Sequence, residues 1–150
     1  MTTVASVLAI KPRPFNFIEP DAKVEDALHL LGAVNRSYLV VMHEDQFKGV
    51  FCEHDYCANV ALRGWDPAIC TVEDTMTHNL PTVNPTDSME TCIRLFNAHK
   101  VRYLPVFDHY RFAGVITQSD LIRALIREGD RVFDGPIANE MKGEWYGTVL

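Results

Sequence analysis

The sequence predicts an α/β fold of the α+β type, built from two β-α-β-β-α repeats, and three observations predict it. The chain matches itself without a gap at an offset of 65 residues. Each copy carries one amphipathic helical stretch followed by two apolar, strand-like runs joined by a short polar link. Each copy then passes through a second helical stretch that ends on a glycine, Gly64 and Gly129.

At that offset, IEPDAKVEDALHLLGAVNRSYLVVMHEDQFKGVFCEHDY (18–56) lies over VNPTDSMETCIRLFNAHKVRYLPVFDHYRFAGVITQSDL (83–121). The identities run in order: Pro20/Pro85, Glu25/Glu90, Leu30/Leu95, Ala33/Ala98, Tyr38/Tyr103, Leu39/Leu104, Val41/Val106, Phe47/Phe112, Gly49/Gly114, Val50/Val115 and Asp55/Asp120. Ordered identity with the apolar period kept throughout marks a duplication.

In each copy a short apolar strand, Phe17-Ile18 or Thr82-Val83, precedes a helix. The helix buries one stripe, Val24, Ala27, Leu28 and Leu31, matched by Met89, Cys92, Ile93 and Phe96, at the three-four-seven spacing of a single helix face. Asp87 and Glu90 suggest a capping box at the second helix start. Strands are expected at Tyr38–Met42, Phe47–Phe51, Tyr103–Phe107 and Phe112–Ile116, with hairpin links at 43–46 and 108–111. Closing helices are expected at Tyr56–Arg63 and Leu121–Glu128, before the two terminal glycines. A lead-in helix at TVEDTM (71–76) matches SVLAIK (6–11). The first domain is thus drawn at 4–64, a connector at 65–70, the second domain at 71–129 and an irregular tail at 130–150. A single copy of about 55–60 residues is small for its own core, and two copies sharing an interface relieve that.

Composition narrows the function classes. Nearly half the residues (47%) are apolar, enough for a core, but no run reaches the roughly 18–20 residues of a membrane span. A net charge of −6 argues against non-specific nucleic-acid binding, which works by neutralising phosphates. Cys52, Cys57, Cys70 and Cys92 form no CxxC pair and no disulfide-like framework, and the first residues lack a secretory signal. The expectation is a cytoplasmic protein with reduced thiols.

TVEDTMTHNLPTVNPTDSMETCIRLFNAHKVRYLPVFDHYRFAGVITQSDLIRAL resembles a cystathionine-β-synthase (CBS) domain. The matching features are the DTMT lead-in, the Thr-Val-x-Pro strand, the RYLPV strand and the Gly-apolar-apolar-Thr-x-x-Asp ending. FIEPDAKVEDAL and GVFCEHDYCANVALRG resemble its N-terminal partner in stand-alone bacterial pairs. The resemblance implies a pseudo-two-fold pair, a Bateman module, with clefts between its domains for adenosine-type ligands. It further implies a homodimer that regulates an unnamed protein, with no enzymatic activity, no required cofactor and no membrane or nucleic-acid partner. AMP or ATP is the foremost ligand class, with ADP, NAD(H) and S-adenosylmethionine as the alternatives.

The residues of GVITQSDL (114–121) suit such a ligand. A strand passes directly into a helix, whose first N–H groups and dipole favour an anion. Thr117 and Ser119 offer hydroxyls, and Asp120 can accept from vicinal ribose hydroxyls, as an acid does in dinucleotide folds. The same Thr-x-x-Asp is also a plain helix capping box. In GVFCEHDY (49–56) Cys52 replaces the Thr while Asp55 stays, which favours a ligand role for the acid and makes the second site the better one. Arg102, beside Tyr103 and Pro105, is the phosphate candidate. Its counterpart is Ser37, with Arg36 one place earlier, and His54 stands where the family often has Arg. Leu80, Thr82 and Val83, and Phe17 and Ile18 in the first copy, are candidates to hold the base. Cys52, His54 and Cys57 invite a zinc reading, but no second ligand pair occurs at finger-like spacing, so no metal site is expected. No residue set nominates a Cys-His hydrolase, since no orienting group or oxyanion site accompanies the thiols. The rival reading is a constitutive interaction or scaffold module whose clefts have decayed.

Overall fold

The computed structural model describes residues 2–11, 16–34 and 37–128. Expectations for Arg36, Gly129 and the tail at 130–150 lie outside the described residues. The elements are α1 (Val4–Ala9), β1 (Phe17–Ile18), α2 (Val24–Val34), β2 (Tyr38–His43), β3 (Gln46–Cys52), α3 (Glu53–Tyr56), a π-helical turn (Cys57–Ala61), α4 (Val72–Thr75), α5 (Met89–His99), β4 (Tyr103–Asp108), β5 (Arg111–Thr117) and α6 (Gln118–Glu128).

The two hairpins are the clearest product of the duplication. Each closes through two residues with positive φ, Glu44 and Asp45 in one, His109 and Tyr110 in the other. That is the turn whose twist matches the flanking strands. The registers are the same: Tyr38 faces Cys52 and Val40 faces Val50, as Tyr103 faces Thr117 and Pro105 faces Val115. Both ladders carry a register shift at the same place, between Val41 and Met42 and between Val106 and Phe107. β1 pairs parallel with β2, Phe17 opposite Val40. In the second copy the expected strand at Thr82-Val83 shrinks to one bridge, with Val83 N–H donating to Pro105 O (3.0 Å) and Val83 O accepting from Phe107 N–H (3.0 Å).

The chain divides into two compact units, and the lead-in segments are exchanged between them. One unit holds residues 12–79, the other 1–11 together with 80–150. The units therefore do not follow the repeat boundaries drawn at 4–64 and 71–129. The core of the first-repeat unit joins Val24, Ala27, Leu31, Leu39, Val41, Phe51 and Val60 with Val72 of the lead-in helix α4. That of the second-repeat unit joins Met89, Cys92, Ile93, Phe96, Leu104, Val106 and Ile116 with Val4, Val7 and Leu8 of α1. Burying an apolar helix face is the driving force, and each lead-in helix finds the face it needs on the other copy's helices and sheet.

Caps revise the expected helix starts. Thr3 and Ser6 form a reciprocal box that starts α1 at Val4, so Thr3 plays the part of Thr71, and α1 does not keep the 6–11 match. Backbone bonds anchor both starts alike: Val4 N–H and Ala5 N–H to Asp87 O and Pro85 O, Val72 N–H and Glu73 N–H to Ala22 O and Pro20 O. α5 is capped by Ser88, whose hydroxyl accepts from Thr91 N–H (3.1 Å), rather than by an Asp87–Glu90 box; Asp87 instead accepts from Asn84 N–H. The closing helices begin at Glu53 and Gln118, three residues before the positions expected from apolar spacing, and the first one widens to a π turn. That turn carries Asn59, whose side-chain amide donates to Thr75 O (2.8 Å) at the end of α4.

Gly49 is where the first sheet meets its exchanged segment. Val50 and Thr77 exchange two backbone bonds of 2.9 Å, and a Cβ on Gly49 would stand 2.6 Å from Thr77 O and 2.9 Å from Met76 Sδ. Gly49→Ala is expected to destabilise by about 1–3 kcal/mol through overpacking. Gly32→Ala, in α2 with nothing within 4 Å of its Cβ, is expected to stabilise by about 0.5–1 kcal/mol. Urea unfolding of the two variants checks both signs.

Candidate functional site

Asp120 sits in the first turn of α6 and is 5% exposed. Its Oδ2 accepts from Thr117 N–H (2.8 Å), while Asp120 N–H donates to Thr117 Oγ1 (3.1 Å), the reciprocal bonds of a capping box. The same Oδ2 accepts from Lys11 Nζ (2.8 Å), which also donates to Val115 O (2.7 Å). Lys11 is itself nearly buried, its side chain 8% exposed, and Arg123 Nη1 lies 3.6 Å from Asp120 Oδ1. A buried carboxylate holds only if its lone pairs are met by donors, and here a backbone N–H and the Lys11 ammonium meet Oδ2, with the Arg123 guanidinium near Oδ1.

Asp55 repeats the arrangement with different chemistry. It is 2% exposed; Oδ2 accepts from Cys52 N–H (2.8 Å) and Oδ1 from the Thr77 hydroxyl (2.6 Å). Each acid therefore joins a strand-to-helix junction to the lead-in segment of its own unit, by a lysine in one and a threonine in the other. Asp55 beside Cys52, which in sequence favours a ligand role, thus also has a structural role. Neither Lys11 nor Thr77 was nominated by sequence. Lys11 is 109 residues from Asp120, and no local pattern connects them.

The remaining candidates divide by exposure. Tyr103 is buried opposite Thr117, which places the exposed Arg102 beside the junction, and Ser119 is exposed in the first turn of α6. Pro105 and Val83 are buried and joined by a backbone bond, Thr82 is exposed and Leu80 half-buried. In the first-repeat unit, Ser37 and His54 are exposed on either side of the Tyr38–Cys52 pair. Phe17 is 48% exposed, while Ile18 packs on the core.

The thiols have separate environments. Cys52 and Cys92 are buried and Cys57 exposed. Burial raises the Cys70 thiol pKa and pushes that of Cys92 up to about 11. Among the described residues no group of three or more His, Cys, Asp or Glu is placed to hold a metal ion. Among them, too, no helix is long and apolar enough to cross a membrane.

The fold has counterparts among known proteins. The CBS domain model matches residues 72–127. A solved structure of a protein with CBS domains from Burkholderia ambifaria MC40-6 superposes with a TM-score of 0.79 at 31% identity, covering 86% of this chain and 97% of that one. The chain belongs to the CBS-domain family. YhcV of Bacillus subtilis, a CBS domain-containing protein, is 25% identical over 104 residues, 69% of this chain and 74% of that protein. The structure of CBSX2 in complex with AMP superposes with a TM-score of 0.69 at 27% identity, over 84% of this CBS protein and 97% of that chain.

Two outcomes follow. Thr77→Val removes the hydroxyl from a buried acid oxygen and is expected to lower unfolding stability by about 1–3 kcal/mol in urea. Iodoacetamide at pH 8 is expected to label exposed Cys57 first and to reach Cys92 only when the unit opens, as peptide mapping over time would show; fast native labelling of Cys92 would contradict the core placement.

Proposed function

We propose that this CBS pair is a non-catalytic regulatory module that binds an adenosine-type nucleotide. AMP and ATP lead, and ADP, NAD(H) and S-adenosylmethionine are the other members of the class. The single observation that carries the reading is the β5–α6 junction of a CBS fold. There Thr117, Ser119 and Asp120 gather at a helix start beside Arg102. Helix-start N–H groups and a neighbouring guanidinium favour phosphate, and a carboxylate near hydroxyl groups favours ribose. The AMP complex of CBSX2, a fold relative, supports the choice of ligand class. In this reading Tyr103, Pro105, Leu80, Thr82 and Val83 line the second-repeat site, and Asp55, His54, Ser37, Phe17 and Ile18 the first. The module works as a cytoplasmic homodimer whose ligand occupancy changes the activity of a partner protein.

One observation favours the scaffold reading for the first repeat. Both oxygens of Asp55 accept hydrogen bonds inside the unit, whereas at Asp120 the two bonds fall on Oδ2 and Arg123 lies 3.6 Å from Oδ1, so the first junction has less left to offer a ribose.

A thermal-shift series with AMP, ATP, NADH and S-adenosylmethionine tests the reading. A ligand of the folded state must raise Tm in a concentration-dependent way. Arg102→Ala, an exposed position, is expected to keep the ligand-free Tm and lose most of the ligand-induced rise. No rise with any of the four at millimolar concentration would leave the scaffold reading in place for both repeats.

A further inference from the structure

The two junctions are alike in backbone and opposite in charge. In the second-repeat unit Asp120 is met by Lys11 at 2.8 Å and by Arg123 at 3.6 Å. Exposed Arg102 stands next to Tyr103, which pairs with Thr117. In the first-repeat unit the donor to Asp55 is the neutral hydroxyl of Thr77. The duplication offset puts Ser37 in the place of Arg102, Ala58 in the place of Arg123, and acidic, exposed Glu53 in the place of Gln118. Over these positions the second junction holds three cations and one acid, the first two acids and no Lys or Arg.

That difference decides which ligands each junction tolerates. An uncompensated carboxylate in a partly desolvated site repels a phosphate by several kcal/mol at short range, and a cation in contact with it cancels that field. Lys11 does so from a nearly buried position, where salt screens it little. Arg123 and Arg102, on the rim, add attraction toward an approaching anion. Among the described residues no Lys or Arg meets Asp55, and Glu53 is exposed at the mouth of its helix.

We propose that the two repeats differ in ligand class. The second-repeat junction takes the phosphorylated, anionic adenosine compounds, with Lys11 as the residue that sets this preference through Asp120. The first-repeat junction disfavours phosphate. This rests on the nucleotide reading above and adds to it the charge class of each site. Lys11 is a specificity-determining residue here, acting on the ligand by neutralising the acid.

Calorimetric titration of the full chain with AMP and with adenosine, which lacks only the phosphate, tests it. The expected result is one AMP per chain, bound about tenfold or more tightly than adenosine. Lys11→Met is expected to bring AMP down toward adenosine by about tenfold while moving adenosine by less than about twofold. Since Lys11→Met also unpairs a buried acid, Arg123→Ala reads the charge around Asp120 on a folded protein, and a salt series reads the share of the exposed rim arginines. AMP binding should weaken with each while adenosine binding holds. Equal affinity for AMP and adenosine, two equivalent AMP sites per chain, or parallel losses for both ligands would overturn the charge assignment while leaving nucleotide binding intact. If neither compound binds the parent chain at millimolar concentration, nucleotide binding itself is refuted and the assignment falls with it.

Discussion

A buried carboxylate at each strand-to-helix junction is the constraint on which the rest of the structure depends. Asp55 and Asp120 each do two jobs: they cap the helix that leaves the sheet, and they hold the lead-in segment against that sheet. The second job explains the exchange. The lead-in helices bury Val72 in one core and Val4, Val7 and Leu8 in the other. A helix of four to six residues is far too short to persist unaided. Its apolar face supplies the driving force, and the acid fixes where it docks.

The same constraint makes the copies unequal. A lysine and a threonine meet the two acids, and the surrounding charges differ to match. A hydroxyl satisfies a buried acid oxygen without changing its charge, whereas a lysine ammonium also neutralises it. Backbone duplication therefore conserves the joint while the side chains around it set different electrostatics. On the proposed function, a ligand that reaches Asp120 touches the group that anchors α1. Binding and the docking of the N-terminal segment are then thermodynamically linked.

Much of this fold was legible in the sequence because duplication doubles every local signal. The hairpin register could be read twice, at Gly49 and Gly114 and at the two polar links, and the structure repeats it residue for residue. The apolar stripes of α2 and α5 were legible for the same reason. Helix starts were not, because apolar spacing sees only the buried face; the caps Thr3, Ser88, Cys52 and Thr117 decide where winding begins. The exchange was invisible, since either lead-in helix is equally apolar toward either copy. Of the candidate site, the Asp120 junction could be found from Thr-x-x-Asp and its strand. Its partner Lys11 could not, as only the tertiary fold brings position 11 to position 120. Asp55 shows the limit from the other side: its bonds to Cys52 N–H and the Thr77 hydroxyl give the acid a structural role that no local sequence pattern predicts.

We assign the nucleotide phosphate to the second-repeat junction and not to the first. Backbone amide shifts during an AMP titration, followed by two-dimensional NMR on labelled protein, test it most directly. Saturable shifts are expected at Thr117, Gln118 and Ser119, with Cys52, Glu53 and His54 nearly still. Shifts confined to the first-repeat junction, or no saturable shift at either junction at millimolar AMP, would contradict it.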